Sequence, residues 1–334
     1  MKKIINTPET YVTDMLSGIY AAHGDKVRFA ADDLRCYCTT NKIDGKVAIV
    51  TGGGAGHLPL FLGYVGDGML DGCGVGEVFQ SPSAEQLYEI TKAVDNGAGV
   101  LYVYGNYTGD IMNFDMAGEL AEMDDIETAT VVGNDDVMSA PKGSENIRRG
   151  VAGIFFLYKC AGAMADTMAP LAEVKRVAEK AGSLARTVGF ATAPCIIPEV
   201  GKPNFVVEEG KLAMGMGIHG EPGIRIENIM TAKDIAEEAV TAIMKDVPYE
   251  AGDEAAVLVN GLGATPLDEL YILFNEINKK LAEKGVKVFH LWAGEFATSM
   301  EMSGASITLM KVDDELKTLL AKPANTPFFK QFQL

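Results

Sequence analysis

Positive charge is scarce in this sequence: Lys and Arg total 29 against 46 Asp and Glu, a formal net charge of −17. A nucleic-acid binder must neutralise a run of phosphates, and this balance excludes that class. An anionic membrane surface is excluded on the same grounds. The overall field gives a phosphorylated ligand no help, so any site for one has to be built locally. What the charge does predict is solubility and partners with basic patches.

Long apolar runs are also missing. The most apolar stretch, residues 151–165, is interrupted by Lys159 and reads as a buried helix, not a membrane span. The basic start, Met1 to Pro8, lacks the apolar run of a signal peptide. Five cysteines, odd in number and scattered, imply reduced thiols in a cytoplasm. Cys36 and Cys38 form the one close pair; with no second pair and no neighbouring histidine, they read as packing residues before metal ligands.

What is present is alternation. Residues 46–51 (KVAIVT) form a β-branched run that ends in glycines, 99–104 (GVLYVY) a second, and 128–132 a third. Helical periods are expected at 8–22, 111–123, 146–165 and 170–185. Further on, strands are expected near 187–192, 212–218, 255–260, 286–292 and 306–312, with helices near 232–244, 267–282 and 313–320. Strand, glycine loop and helix in repeated order predict two α/β domains with mixed, largely parallel sheets flanked by helices. The N-terminal domain, with its glycine-rich loops, is expected over 1–185 and the C-terminal one over 186–334.

Ligands in open α/β sheets bind beyond the carboxyl ends of the strands, and three loops there stand out. The first is Gly52-Gly53-Gly54-Ala55-Gly56-His57. Its glycines permit close backbone approach, and bare N–H groups can cradle oxygen atoms. It lacks the Gly-Lys-Ser/Thr of a nucleotide P-loop and fails the dinucleotide fingerprint. The second is Asn106-Tyr107-Thr108-Gly109-Asp110, where the aspartate precedes a helical run and suits an N-cap. The third, residues 215–223, sets His219 among glycines, followed by Glu221-Pro222-Gly223. Of only four histidines, His23 sits at a helix end and His290 in an apolar strand, which leaves His57 and His219 in glycine loops.

These residues resemble a known family, the substrate-binding K subunit of bacterial dihydroxyacetone kinases. The landmarks run the length of the chain: GGGAGH at 52–57, SP at 81–82, NYTGD at 106–110, RRGVAG at 148–153, GKP at 201–203, MGIHGEPG at 216–223, LGATPLDELY at 262–271 and SITLMKVDDE at 306–315. The resemblance implies a two-domain homodimer of a cytoplasmic phosphotransferase. It implies a covalent hemiaminal between His219 and the carbonyl carbon of a short ketose, a bond that a polyol without a carbonyl cannot make. His57 and Asp110 would then bracket the hydroxyl that is phosphorylated, as general acid–base groups. Gly54, Ala55, Gly56, Ser81 and Gly105 match substrate-binding positions. No cofactor is expected on this chain: ADP or ATP with magnesium would sit on a separate helical L subunit, and a phosphotransferase-system protein is a possible phosphoryl donor. The resemblance also allows a non-catalytic ketose-binding paralogue that acts as a transcriptional co-regulator.

Two departures from the family pattern matter. The loop usually reads Gly-Gly-Gly-Ser-Gly-His-Glu-Pro, and here Ala55 and Leu58 replace the serine and the glutamate. The lysine that usually precedes Asn-Tyr-Thr-Gly-Asp is Gly105. Losing an acid and a base together suggests a roomier, less polar pocket and a four-carbon ketose such as erythrulose in place of dihydroxyacetone.

Overall fold

A strand buried on both faces of a sheet is mostly apolar or glycine, and Ala48–Ala55 (β3) is buried at every position, with its one polar side chain, Thr51, bonded to the Tyr158 hydroxyl at 2.7 Å. It lies in the middle of a six-stranded sheet with Val27–Phe29 (β1), Cys36–Thr39 (β2), Gly72–Val78 (β4), Val100–Gly105 (β5) and Thr128–Gly133 (β6), in the order β1-β2-β4-β3-β5-β6. The computed structural model describes residues 3–221 and 223–334. Met1, Lys2 and Pro222, quoted above in the N-terminus and the MGIHGEPG motif, lie outside the described residues.

A second six-stranded sheet has the order β11-β10-β12-β7-β8-β9. Its strands are Ala185–Ala193 (β7), Lys211–Met214 (β8), Arg225–Asn228 (β9), Glu254–Gly261 (β10), Lys287–Glu295 (β11) and Ser303–Val312 (β12). Both sheets are mixed and helix-flanked, as expected. The parallel pairings concentrate in the first sheet, where β4, β3, β5 and β6 run together. In the second only β10 and β11 are parallel, because short connections such as the β8–β9 link return the chain antiparallel.

The helices are Tyr11–His23 (α1), Ala84–Val94 (α2), Thr108–Glu122 (α3), Ile154–Ala165 (α4), Leu171–Leu184 (α5), Ala232–Asp246 (α6), Leu267–Glu283 (α7) and Asp314–Leu320 (α8). In α4 every residue except Met164 is buried, Lys159 included; its ammonium donates to the Leu319 carbonyl at 3.2 Å, at the end of α8. One apolar cluster joins Val103 of β5, Phe155 of α4 and Leu258 of β10, so the two sheets share a core through α4.

The helix expected over 146–165 starts only at Ile154. The strap before it is held by other bonds. Asn106 donates its amide to the carbonyls of Asn146 and Arg148, and the buried Asp135 carboxylate accepts the Val151 and Gly153 N–H groups. At Gly150 an added β-carbon would stand 2.3 Å from the Gly133 carbonyl oxygen, so the strap presses on the ends of β5 and β6. Likewise the strand expected over 212–218 stops at Met214, where Gly215 takes φ +78° and releases the loop that carries His219.

Candidate active site

The first histidine hangs on the end of β3. The glycines before it are required by close packing. A β-carbon on Gly54 would lie 2.6–2.7 Å from the backbone of Phe79 and Gln80, and Gly56 takes φ +101°. His57 is fully buried, its ring stacked on Phe79 with centroids 4.9 Å apart. Its Nδ1 lies 2.8 Å from the Thr298 carbonyl oxygen, which can only accept, so Nδ1 carries the proton and Nε2 keeps a bare lone pair. Burial, reinforced by repulsion from His219, lowers His57 to about 3, and the ring stays neutral at neutral pH. Among the described residues, no group bonds Nε2.

His219 sits in the loop between β8 and β9, with its ring 4.7 Å from that of His57 and 4.5 Å from that of Tyr107. Its Nδ1 meets Glu221 Oε1 at 3.1 Å, and its backbone N–H donates to Glu221 Oε2 at 3.0 Å. Burial raises the Glu221 carboxyl, but the His219 hydrogen bond and the Arg149 charge prevail and hold it at about 2. An ionised carboxylate only accepts, so the Nδ1 of His219 is protonated and Nε2 presents its lone pair. Arg149 continues the chain of contacts: it lies 3.8 Å from Glu221, donates to Asp136 at 2.9 Å and donates to the Gly215 carbonyl at 2.8 Å.

Asp110 occupies the first turn of α3 but does not cap it; Tyr107 is the N-cap, without a side-chain bond. The carboxylate turns inward instead. It is buried, and its Oδ1 has no partner among the described residues. Burial lifts the carboxyl to about 6, against the opposing pull of the Ser81 hydroxyl and His219. Ser81 is close enough that a β-carbon on Gly109 would stand 2.8 Å from its Oγ.

His57, His219, Asp110 and Ser81 are thus brought together, with Gly54, Ala55 and Gly56 forming the wall behind His57. Two of those backbone carbonyls are already taken: Ala55 accepts the Phe79 N–H and Gly56 the Met300 N–H. Gly105 lies behind Tyr107, where a β-carbon would meet the Tyr107 ring, Ile154 and the Gly150 carbonyl at 3.1–3.3 Å. A gap of about 10 Å³ lies on the Met15 and Cys73 side of Gly53–Leu62, and His219, Asp110 and Ser81 do not line it. Leu58 faces a separate cavity of about 460 Å³ behind the loop, shared with Tyr11, Met15 and Met300. A further cavity, about 670 Å³, lies elsewhere, between Asp67, Asp166 and the C-terminal residues 322–332.

Sequence reasoning missed Glu221, Arg149, Phe79 and Thr298. Glu221 was within reach of it, since it falls two residues after His219 inside a quoted motif. Phe79, a non-glycine residue at φ +60°, gives no sequence signal, and Thr298 acts through its carbonyl oxygen alone. His290 lies on β11, the edge strand, against Trp292, and all five cysteines are buried and unpaired. Among the described residues, no group of three or more His, Cys, Asp or Glu side chains is placed to hold a metal ion. In the same residues, no helix is long and apolar enough to cross a membrane.

Comparison with known proteins places this geometry in a family. The Dak1 domain profile matches residues 17–328. The dihydroxyacetone-binding subunit of a PTS-dependent dihydroxyacetone kinase from Listeria innocua is 43% identical, over 99% of each chain. A D-erythrulose kinase from Mycolicibacterium smegmatis is 41% identical over 99% of this chain, which spans only 57% of that enzyme. Among solved structures, a dihydroxyacetone kinase operon co-activator superposes with a TM-score of 0.89 at 30% identity, covering 95% of this chain and 98% of its own. The dihydroxyacetone kinase of C. freundii superposes with the same score at 28% identity, over 99% of this chain and 60% of its own. The chain belongs to the Dak1 domain family.

Proposed function

We propose that this chain is the ketose-binding subunit of a dihydroxyacetone-type kinase, a phosphotransferase whose phosphoryl group arrives on another subunit. The observation that carries this reading is a pair of orphaned atoms. Of the four buried, unpartnered side-chain polar atoms among the described residues, two are His57 Nε2 and Asp110 Oδ1. Buried polar atoms are rarely left unbonded, and a ligand hydroxyl between these two would satisfy both.

In this reading His219 Nε2 attacks the carbonyl carbon of the bound ketose. An N–C bond forms, the C=O π bond breaks, and its electron pair goes to oxygen, which takes up a proton. The Nδ1 proton leaves by way of the Glu221 carboxylate, so the hemiaminal is neutral overall. Glu221 stabilises the positive ring while it lasts. Asp110 and His57 then hold the terminal hydroxyl, and one of them accepts its proton as the phosphoryl group arrives. Gly54, Ala55, Gly56 and Ser81 line the ligand, and Gly105 leaves room for Tyr107 beside it.

The phosphoryl-carrying partner is supported by two likenesses: to a relative named a binding subunit, and to an erythrulose kinase of whose length this chain spans only 57%. ADP or ATP with magnesium belongs on that L subunit, with a phosphotransferase-system protein as its donor in the PTS-dependent case. We take the protein to be cytoplasmic, from its unpaired cysteines, and its domains to divide near residue 185, where β7 begins.

A second reading, a ketose-binding co-regulator of transcription, is supported by the 30% identity to the co-activator over 98% of that chain. The test for ketose chemistry is intact-protein mass spectrometry with dihydroxyacetone and with erythrulose, on wild type and His219→Ala. An adduct heavier by the whole sugar mass, with no water lost, that disappears in the variant supports hemiaminal binding, and its yield ranks the sugars. No adduct with either sugar overturns it. Phosphorylation on adding an L subunit from a relative then separates the kinase from the co-regulator.

A further inference from the structure

Of the two arginines in the strap before α4, Arg148 goes to Asp246 and Arg149 goes to the loop that carries His219. Arg149 is tied down before it reaches that loop. Its backbone N–H donates to the Ser139 hydroxyl at 3.0 Å, and its carbonyl accepts the Asp136 N–H at 3.1 Å. Its guanidinium lies 2.7 and 2.9 Å from one oxygen of the Asp136 carboxylate, and the other oxygen accepts the Met138 N–H at 3.0 Å. Asp136 is fully buried, so the cation starts from a fixed point. The rest of the guanidinium enters the loop. Nη2 donates at 2.8 Å to the carbonyl of Gly215, the residue at φ +78° where the loop leaves β8. Nη1 stands 3.8 Å from Glu221 Oε2, later in the same loop. Gly217 closes the ring of contacts: a β-carbon there would lie 2.3 Å from Glu221 Oε2 and 2.9 Å from Arg149 Nη1. The loop is wrapped around the guanidinium.

We propose that Arg149 is a positioning residue for His219: clamped to Asp136, it fixes the loop at Gly215 and holds the Glu221 carboxylate against Nδ1, so that Nε2 keeps its lone pair. Glu221 spends Oε1 on the ring and Oε2 on the His219 backbone N–H. A carboxylate that stays in place and ionised is what keeps the ring proton on Nδ1. The planar fork of an arginine can meet Asp136, Gly215 and Glu221 together, where the point charge of a lysine cannot. The consequence for catalysis rests on the ketose-kinase reading; the effect on the ligand-free ring does not.

Nitrogen NMR of the full chain labelled with ¹⁵N-histidine reads the tautomer without a ligand. The chain has only four histidines, and His219→Ala identifies the signals. Wild type is expected to show Nδ1 protonated and Nε2 bare. In Arg149→Met the His219 ring is expected to exchange between both tautomers, while the His57 ring, held by the Thr298 carbonyl, keeps its own. Gly217→Ala drives a methyl between Glu221 and Arg149 and is expected to give the same mixture with Asp136 still paired, which covers a poorly folding Arg149→Met. Arg149→Lys, with the charge but not the fork, is expected to fall between Arg149→Met and wild type. A role in folding alone would lower the melting temperature and leave the tautomer unchanged. With dihydroxyacetone, the adduct midpoint by intact-protein mass spectrometry is expected to rise roughly tenfold or more in Arg149→Met and Gly217→Ala. A His219 ring that stays wholly in the Nδ1–H form in both variants, or an adduct midpoint unmoved in both, would overturn the proposal. A wild type that forms no adduct would overturn the ketose reading, while a tautomer change in the two variants would still support this role for Arg149.

Discussion

Replacing Glu221 with glutamine keeps the shape of the His219 contact and removes its charge. The carboxylate accepts two N–H groups from His219, one from the ring and one from the backbone. A hydrogen bond to a charged group contributes about 1.5–3 kcal/mol. At 1.4 kcal/mol per decade, losing the ring bond weakens adduct formation by roughly ten- to a hundredfold. Glutamine carries a second hazard. Its amide N–H₂ can donate to Nδ1, which moves the ring proton to Nε2 and occupies the lone pair that has to attack.

The assay is a titration of wild type and Glu221→Gln with dihydroxyacetone, with adduct read by intact-protein mass spectrometry. The expected result is a midpoint shifted to higher sugar concentration by that factor, with a melting temperature close to wild type. Glu221→Ala should behave at least as badly, since it leaves Arg149 facing a void. A glutamine variant that forms adduct with wild-type affinity would refute the reasoning, because Nδ1 would then need no carboxylate to hold its proton.

Other substitutions separate the roles in the site. His57→Ala should retain the sugar adduct and lose roughly 10²–10⁴-fold in phosphoryl transfer, measured with an added L subunit. Asp110→Asn should be slower in transfer yet more stable. The folded carboxyl is raised to about 6, so the folded state binds its proton more tightly than the unfolded one. Stability is therefore lost as pH rises from about 4 to 6, by at most about 3 kcal/mol. The variant's melting temperature should exceed wild type at pH 7 and match it near pH 3. Gly54→Ala drives a methyl into the Phe79 and Gln80 backbone and should destabilise by at least about 1–3 kcal/mol, read by urea unfolding. Arg148→Met strips one of two guanidinium partners from the buried Asp246, which it holds at 2.7 and 3.0 Å while Arg186 stays bonded; a loss of about 1.5–3 kcal/mol is expected in the same unfolding measurement.

The sheets were legible where periodicity is strong. The runs at 46–51, 99–104 and 128–132 became β3, β5 and β6, since buried parallel strands are near-continuous apolar runs. Strand β4 (GCGVGEV) was not read, because its glycines hide a strand whose pleat is pressed against Ile90 and Leu87 of α2. The start of α4 was misplaced by eight residues. The apolar pattern continues through Ile147 and Val151, and only the tertiary bonds from Asp135 and Asn106 hold that strap out of the helix. Local pattern carries no trace of a partner that lies 16 to 42 residues away along the chain.

The site was legible as three loops, and its two departures from the family pattern show what sequence could not say. An acid lost at Leu58 and a base lost at Gly105 read as one compensating exchange in one pocket. In space the two positions have different surroundings. Leu58 lines the cavity behind the His57 loop, while Gly105 is wedged against Tyr107, Ile154 and Gly150. A lysine at Gly105 would have to displace Tyr107, whose ring lies against His219 and whose hydroxyl donates to the Gly150 carbonyl at 3.0 Å. The cation near the site is then Arg149, reached from the strap that the sequence read as helix. Substrate size is therefore a question for Tyr107 and Phe79, which close over the two histidines, more than for either departed charge.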